Sequence, residues 1–162
     1  MQSHRTSGSL VCLGLLTLMA IALSAPAYAQ KDPSIGTWKL NLEKSKYSPG
    51  PPPKNTTVTI KPDGDRIHVT VTGVSANGLA TSSEYSYRLD GRDYPVTGSG
   101  DYDTVAATES GKTVEGTRKK AGRVVQTYTR VISQDGKTMT VTTTGTNAQG
   151  QKFNNVAVYE KQ

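Results

Sequence analysis

The chain has 162 residues and a formal net charge of +6, with 19 basic side chains against 13 acidic ones. One cysteine and two histidines are too few for a disulfide framework or for a zinc site built from several Cys or His ligands. The length suits a single domain with one core, and the scattered positive charge argues against a nucleic-acid partner.

Residues 1–29 have the features of a secretory signal peptide. A weakly basic start precedes an uncharged apolar run over residues 10–23, and Ala27 and Ala29 supply the small side chains that signal peptidase requires. A membrane anchor is the less favoured alternative, since a span needs roughly 20 apolar residues. We therefore expect an exported protein, periplasmic or secreted, whose single domain covers residues 30–162 and does not stay inserted in a membrane.

After this segment, turn signals alternate with runs rich in Val, Thr and Tyr. Pairs such as Asn77-Gly78 and Asp90-Gly91 supply the positive φ angles that tight hairpins need. Within the runs, apolar and polar residues alternate, which is typical of strands with one face in solvent. The pattern predicts about ten strands and little or no helix, with strands at 36–42, 55–61, 66–74, 79–89, 93–97, 102–109, 113–120, 123–133, 138–146 and 152–161.

The connection over residues 43–54 is the one long interruption, and it contains three consecutive prolines. Proline excludes a helix here and favours a stiff, extended segment. We expect a rigid loop across one end of the fold, and a proline-recognition peptide is the alternative.

Successive hairpins favour one fold class. About ten antiparallel strands avoid unpaired edges most simply by closing into an up-and-down β-barrel. A two-sheet sandwich is the main alternative, but short sequential connections favour a meander over a Greek key. The prediction is an all-β, up-and-down antiparallel barrel.

Two short motifs resemble the calycin superfamily. The segment Gly36-Thr37-Trp38-Lys39-Leu40 is similar to the opening of lipocalins and of intracellular fatty-acid-binding proteins, and Val158-Tyr159-Glu160-Lys161 is similar to the close of the latter. The resemblance implies a small exported bacterial protein with a lipocalin-like domain. It also implies that the Trp38 indole braces the closed end of the barrel.

The chain departs from fatty-acid-binding proteins in two respects. Those proteins have a helical lid between their first two strands, where this chain has residues 43–54. Their carboxylate clamp includes an arginine two residues before the closing tyrosine, and Ala157 occupies that position here. Only Tyr159 of the clamp therefore carries over.

The remaining arginines of interest are expected in solvent. The three basic residues Arg118, Lys119 and Lys120 adjoin the turn at Ala121-Gly122, which predicts an exposed basic turn rather than an anion-binding patch. Arg130 is the one other strand arginine that could turn inward, but its phase opposite to Val131 predicts an outward side chain.

Alternation and the resemblance together predict that a small hydrophobic or amphipathic ligand binds inside the barrel. Tyrosine suits such a site because it combines an apolar ring with a polar tip. The alternative is a filled barrel that acts through its outer surface on a cell-wall polymer, a membrane surface or a protein. The predicted ligand-binding residues are Trp38, Val58, Ile67, Val69, Tyr85, Tyr87, Met139, Val141 and Tyr159.

The sequence predicts no catalytic site, no metal site and no cofactor. His68 lies on the threonine-rich face of its strand, so an exposed strand residue is the favoured interpretation over a general base. A carboxylate pair drawn from Glu84, Glu109 and Glu115 would make the protein a glycoside hydrolase, and this is the weakest of the three hypotheses.

Overall fold

The computed structural model describes residues 32–147 and 149–162, so the predicted signal peptide lies outside the described residues. All regular structure in these residues is β-strand, and they contain no helix that could cross a membrane. The strands are β1 (Gly36–Lys46), β2 (Asn55–Asp63), β3 (Arg66–Val74), β4 (Ala80–Tyr87), β5 (Tyr94–Pro95), β6 (Thr104–Ser110), β7 (Thr113–Lys120), β8 (Arg123–Ile132), β9 (Thr138–Thr146) and β10 (Lys152–Lys161).

These strands form one antiparallel sheet in the order β4-β3-β2-β1-β10-β9-β8-β7-β6-β5. Its two edges meet where Glu84 of β4 pairs with Thr97, just beyond β5. Each of these residues donates its N–H to the carbonyl oxygen of the other over 3.0 Å. The sheet is thereby nearly closed, and the predicted all-β, up-and-down antiparallel barrel is confirmed.

The first strand is longer than the sequence pattern predicts. An irregularity interrupts its pairing with β10, and the strand continues beyond it. Asn41 lies opposite Val158, and the next pair is Lys46 with Val156. Ser45 lies in the bulged stretch: its hydroxyl donates to the Asn41 carbonyl over 2.6 Å and accepts from the Val158 N–H over 2.9 Å. The side-chain hydroxyl thus replaces the ladder contacts that the bulge removes, and the strand continues to Lys46.

Trp38 occupies the barrel end at which β1 begins and β10 ends. It lies opposite Val58 on one neighbouring strand and Lys161 on the other, and its side chain is 0% exposed. The indole Nε1 donates to the Ser34 carbonyl over 2.8 Å, so the polar edge of the ring is satisfied although it is buried. This end is therefore packed, and the open space lies farther along the barrel.

Candidate functional site

The barrel encloses a cavity of about 730 Å³. Its walls are the inward faces of the strands, where apolar side chains recur at every second position. Seven of the nine residues predicted to bind a ligand line it: Val58, Val69, Tyr85, Tyr87, Met139, Val141 and Tyr159. Their placement satisfies the geometric condition for that role, and their contact with a ligand stays a prediction.

Two residues of the predicted set do not line the cavity. Trp38 fills the packed end described above, and Ile67 packs at that same end, opposite Pro62 and Tyr87 in the strand register. Both side chains support the walls of the barrel rather than form its interior surface.

The proline-rich segment contributes to the far end of the cavity. Tyr47, Pro49 and Pro53 line the space there, beside Phe153 of β10. Ser48 fixes the segment to β10, because its carbonyl accepts the Asn154 N–H over 2.7 Å. The chain thus places a stiff loop near the mouth, in the interval where fatty-acid-binding proteins have their helical lid.

Arg130 faces the cavity, and the prediction that it points to solvent is wrong. It is 8% exposed, whereas the adjacent Val131 is 40% exposed. Arg130 lies opposite Val114 and Val141, and one of its terminal nitrogens donates to the Tyr87 hydroxyl over 3.3 Å. Tyr128 points inward, and Arg130, two residues later, lies on the same face of β8. Val131, which the prediction took as the inward residue, lies on the outer face.

Arg118 also lines the cavity, which contradicts its predicted place in an exposed turn. β7 continues past it, and an irregularity in the pairing with β8 falls between Arg118 and Lys119. The Arg118 guanidinium lies 5.0 Å from the ring centroid of Tyr102 and 4.7 Å from that of Tyr128. It donates to the Gln126 side-chain oxygen over 3.0 Å, and its Nε is buried without a hydrogen-bond partner.

Lys119, the next residue, points the other way. Its ammonium lies 2.7 Å from a carboxylate oxygen of Asp93, in a surface ion pair. The predicted basic turn is therefore divided, with Arg118 inside the barrel and Lys119 outside it.

The cavity carries uncompensated positive charge. Its lining includes Arg118, Lys120 and Arg130 but only one carboxylate, that of the exposed Asp101. Among the described residues, neither Arg118 nor Arg130 forms an ion pair with a carboxylate. Two guanidinium groups thus lie inside the barrel with neutral partners only.

The tyrosines of the cavity do not neutralise these arginines. Burial raises the pKa of the Tyr128 hydroxyl to about 12, and burial is also the main cause of the raised pKa of Tyr85 and Tyr159. At neutral pH all three phenols are protonated, so they act as neutral hydrogen-bonding groups.

The groups considered for catalysis lie elsewhere. His68 is on the outer face of β3, where its Nδ1 lies 2.9 Å from the Ser86 hydroxyl oxygen and its Nε2 lies 3.2 Å from that of Thr70. Glu84, Glu109 and Glu115 are absent from the cavity lining. Residues 32–147 and 149–162 also contain no group of three or more His, Cys, Asp or Glu side chains arranged to hold a metal ion.

No protein-family model matches the sequence, and a search of curated proteins found no similar sequence. Solved structures do match. One is the crystal structure of zebrafish ileal bile acid-binding protein in complex with cholic acid, which is 15% identical with a TM-score of 0.51. The match covers 81% of this chain and 100% of that protein. The barrel is calycin-like. At this level of identity the similarity concerns the fold, and the bile acid is the ligand of the zebrafish protein.

Proposed function

We propose that this calycin-like barrel binds a small anionic, amphipathic molecule in its interior and does so without catalysis. The observation that carries the proposal is the presence of Arg118 and Arg130 in a cavity with aliphatic and aromatic walls, without a carboxylate partner of their own. We also propose that the protein acts outside the cytoplasm, on the basis of residues 1–29 alone.

The apolar part of the ligand is inferred from the cavity walls. Val58, Val69, Met139 and Val141 present aliphatic or thioether surface to the interior, and a volume of about 730 Å³ is within the range of small-molecule sites. The alternative function assumes a filled barrel, whereas this interior holds a cavity. Action through the outer surface stays a prediction.

The charged part of the ligand is inferred from the cost of burying an arginine. A guanidinium removed from water without an anionic partner loses hydration free energy that one neutral hydrogen bond does not restore. Arg130 has one such bond, to the Tyr87 hydroxyl. A carboxylate, sulfonate or phosphate would offset this cost, because the planar guanidinium binds two oxygens of such a group through two parallel N–H donors.

The zebrafish structure supports the proposal by analogy. Cholic acid combines a large apolar body with an acidic group, and the protein that binds it has a barrel of the same type. The analogy concerns the class of ligand and not its identity.

Native mass spectrometry tests the proposal. Protein purified from an exporting host that expresses the full chain should carry a discrete adduct, or should acquire one from a mixture of dodecanoate and cholate. Arg130→Gln should remove most of this binding, and Arg123→Gln, at an exposed position at the start of β8, should leave it unchanged. A bare mass before and after incubation, from protein with a β-sheet circular dichroism spectrum, would contradict the proposal.

A further inference from the structure

We propose that the ligand is a two-headed anion, with one acidic group held by Arg130 deep in the barrel and a second held by Arg118 nearer the mouth. This inference rests on the proposed function and names the class of molecule that the same cavity would bind.

The two arginines lie at different depths. Arg118 of β7 is paired with Gln126 of β8, and Arg130 is farther along β8 by four residues. At about 3.4 Å per residue, this separates the two levels by about 14 Å along the strand. The ring of Tyr128 lies between them on the same inward face, and Arg118 stacks on that ring. A single carboxylate bound to Arg130 therefore has an aromatic side chain between it and Arg118.

The surroundings of each arginine show which one is deeper. Arg130 is 8% exposed and contacts Tyr87, which is 1% exposed. Arg118 is only partly buried, and it contacts Tyr102, which belongs to the same loop as the exposed Asp101. The cavity thus has one cation in its interior and a second one close to its rim.

Both guanidinium groups have unused donors. Arginine carries five N–H groups. Arg118 donates to Gln126, while its Nε is buried without a partner. Its remaining neighbours are aromatic rings, which attract a cation but provide no anion. A second acidic group on the ligand would supply the missing acceptor at this level, as the first one would at Arg130.

One molecule can reach both groups because they open onto one cavity, part of whose wall is apolar. The same cavity is lined by both arginines, and Val69, Val71 and Tyr85 form the wall across from β7 and β8. Such a wall suits a hydrocarbon or ring system between two charged ends. An α,ω-dicarboxylate is the simplest molecule with this distribution of charge.

Isothermal titration of the purified protein with dodecanoate, dodecanedioate and dodecanediol tests the inference, with octanedioate and decanedioate added to vary the length. We expect the best dicarboxylate to bind at least tenfold more tightly than dodecanoate, because it makes a second charged contact. Arg118→Gln and Arg130→Gln should each abolish this preference. Arg118→Lys, which retains the charge, should keep part of it, and Arg123→Gln should keep all of it.

The outcomes separate this inference from the proposed function. One outcome is that dodecanoate binds as tightly as every dicarboxylate, with Arg118→Gln changing neither the affinity for dodecanoate nor that for the dicarboxylates. In that case the inference of a two-headed ligand is wrong, and the proposal that the cavity binds a single anionic group stands. If dodecanediol binds as well as dodecanedioate, the requirement for acidic groups is overturned. If no probe binds to folded protein, the proposed function fails together with the inference.

Discussion

Replacing Arg130 with methionine should stabilise the empty protein. Arg130 is 8% exposed, and its one side-chain hydrogen bond joins it to the neutral Tyr87 hydroxyl over 3.3 Å. Methionine has a similar length, fits irregular apolar space and carries no charge. The substitution therefore removes a cost of burial while leaving the packing of the wall nearly intact.

The magnitude follows from two opposed contributions. A hydrogen bond to a charged group contributes about 1.5–3 kcal/mol, and this stabilisation is lost. An unpaired buried ion costs several kcal/mol after relaxation, and this cost disappears. Because Arg130 borders a cavity, its desolvation is incomplete, so we expect a net gain of about 1–2 kcal/mol in the free energy of unfolding. For a domain of this size the gain corresponds to an increase in melting temperature of about 3–8 °C.

Urea denaturation followed by circular dichroism, on protein extracted to remove bound molecules, measures this change. Arg123→Met is the matched control, because this exposed position should respond by less than about 0.5 kcal/mol. A loss of more than about 1 kcal/mol in Arg130→Met, with an unchanged control, would show that the empty barrel already compensates the guanidinium. The inference from its unpaired charge would then be wrong.

Two further predictions concern Tyr128. Its pKa is raised by burial from 10.0 to about 12, so its contribution to stability is complete below pH 10 and is lost as the pH rises towards 12. Between about pH 9 and pH 12, urea unfolding should show that Tyr128→Phe loses about 2 kcal/mol less than the wild type, and equal losses would contradict this. Gly116→Ala should destabilise the protein by about 1–3 kcal/mol, because its Cβ would lie 2.5 Å from Tyr128 ring carbons and 2.6 Å from the Ala106 carbonyl oxygen. In thermal unfolding Gly100→Ala, with nothing within 4 Å, should be nearly neutral, and an equal effect of the two would refute the steric explanation.

The fold could be predicted from the sequence because its signals are local. Glycine-containing turns mark the hairpins, and period-two alternation marks the strands between them, so the predicted strand at 138–146 coincides with β9. The end of β1 was not predictable in this way. Its extension to Lys46 depends on a hydroxyl contact from Ser45 to β10, which is more than one hundred residues away in the sequence.

The apolar part of the candidate site was predictable for the same reason, and the charged part was not. Alternation places Tyr85 and Tyr87 inside without ambiguity, because no apolar residue occupies the opposite phase nearby. On β8 both phases contain apolar residues, so Val131 competes with Tyr128 for the inward face. Only the register with β7 and β9 resolves that choice, and it turns Arg130 inward. For Arg118 a useful signal was present, since it is in phase with the buried Val114.

The contact between Glu84 and Thr97 gives the barrel a seam. Most neighbouring strands share a long ladder, whereas the two-residue β5 pairs only briefly with β6, and the residues after it join β4 through this reciprocal pair of hydrogen bonds and a 3.4 Å bond from the Thr97 hydroxyl to the Glu84 carbonyl. Separating β4 from the residues after β5, or β5 from β6, requires the loss of fewer backbone contacts than separating any other two neighbouring strands, so local opening has its lowest free energy on either side of β5. The wall can part along this line while the nine strands from β4 around to β6 remain paired. The side of the barrel, and not only its mouth, is therefore a place where local opening exposes the interior to solvent.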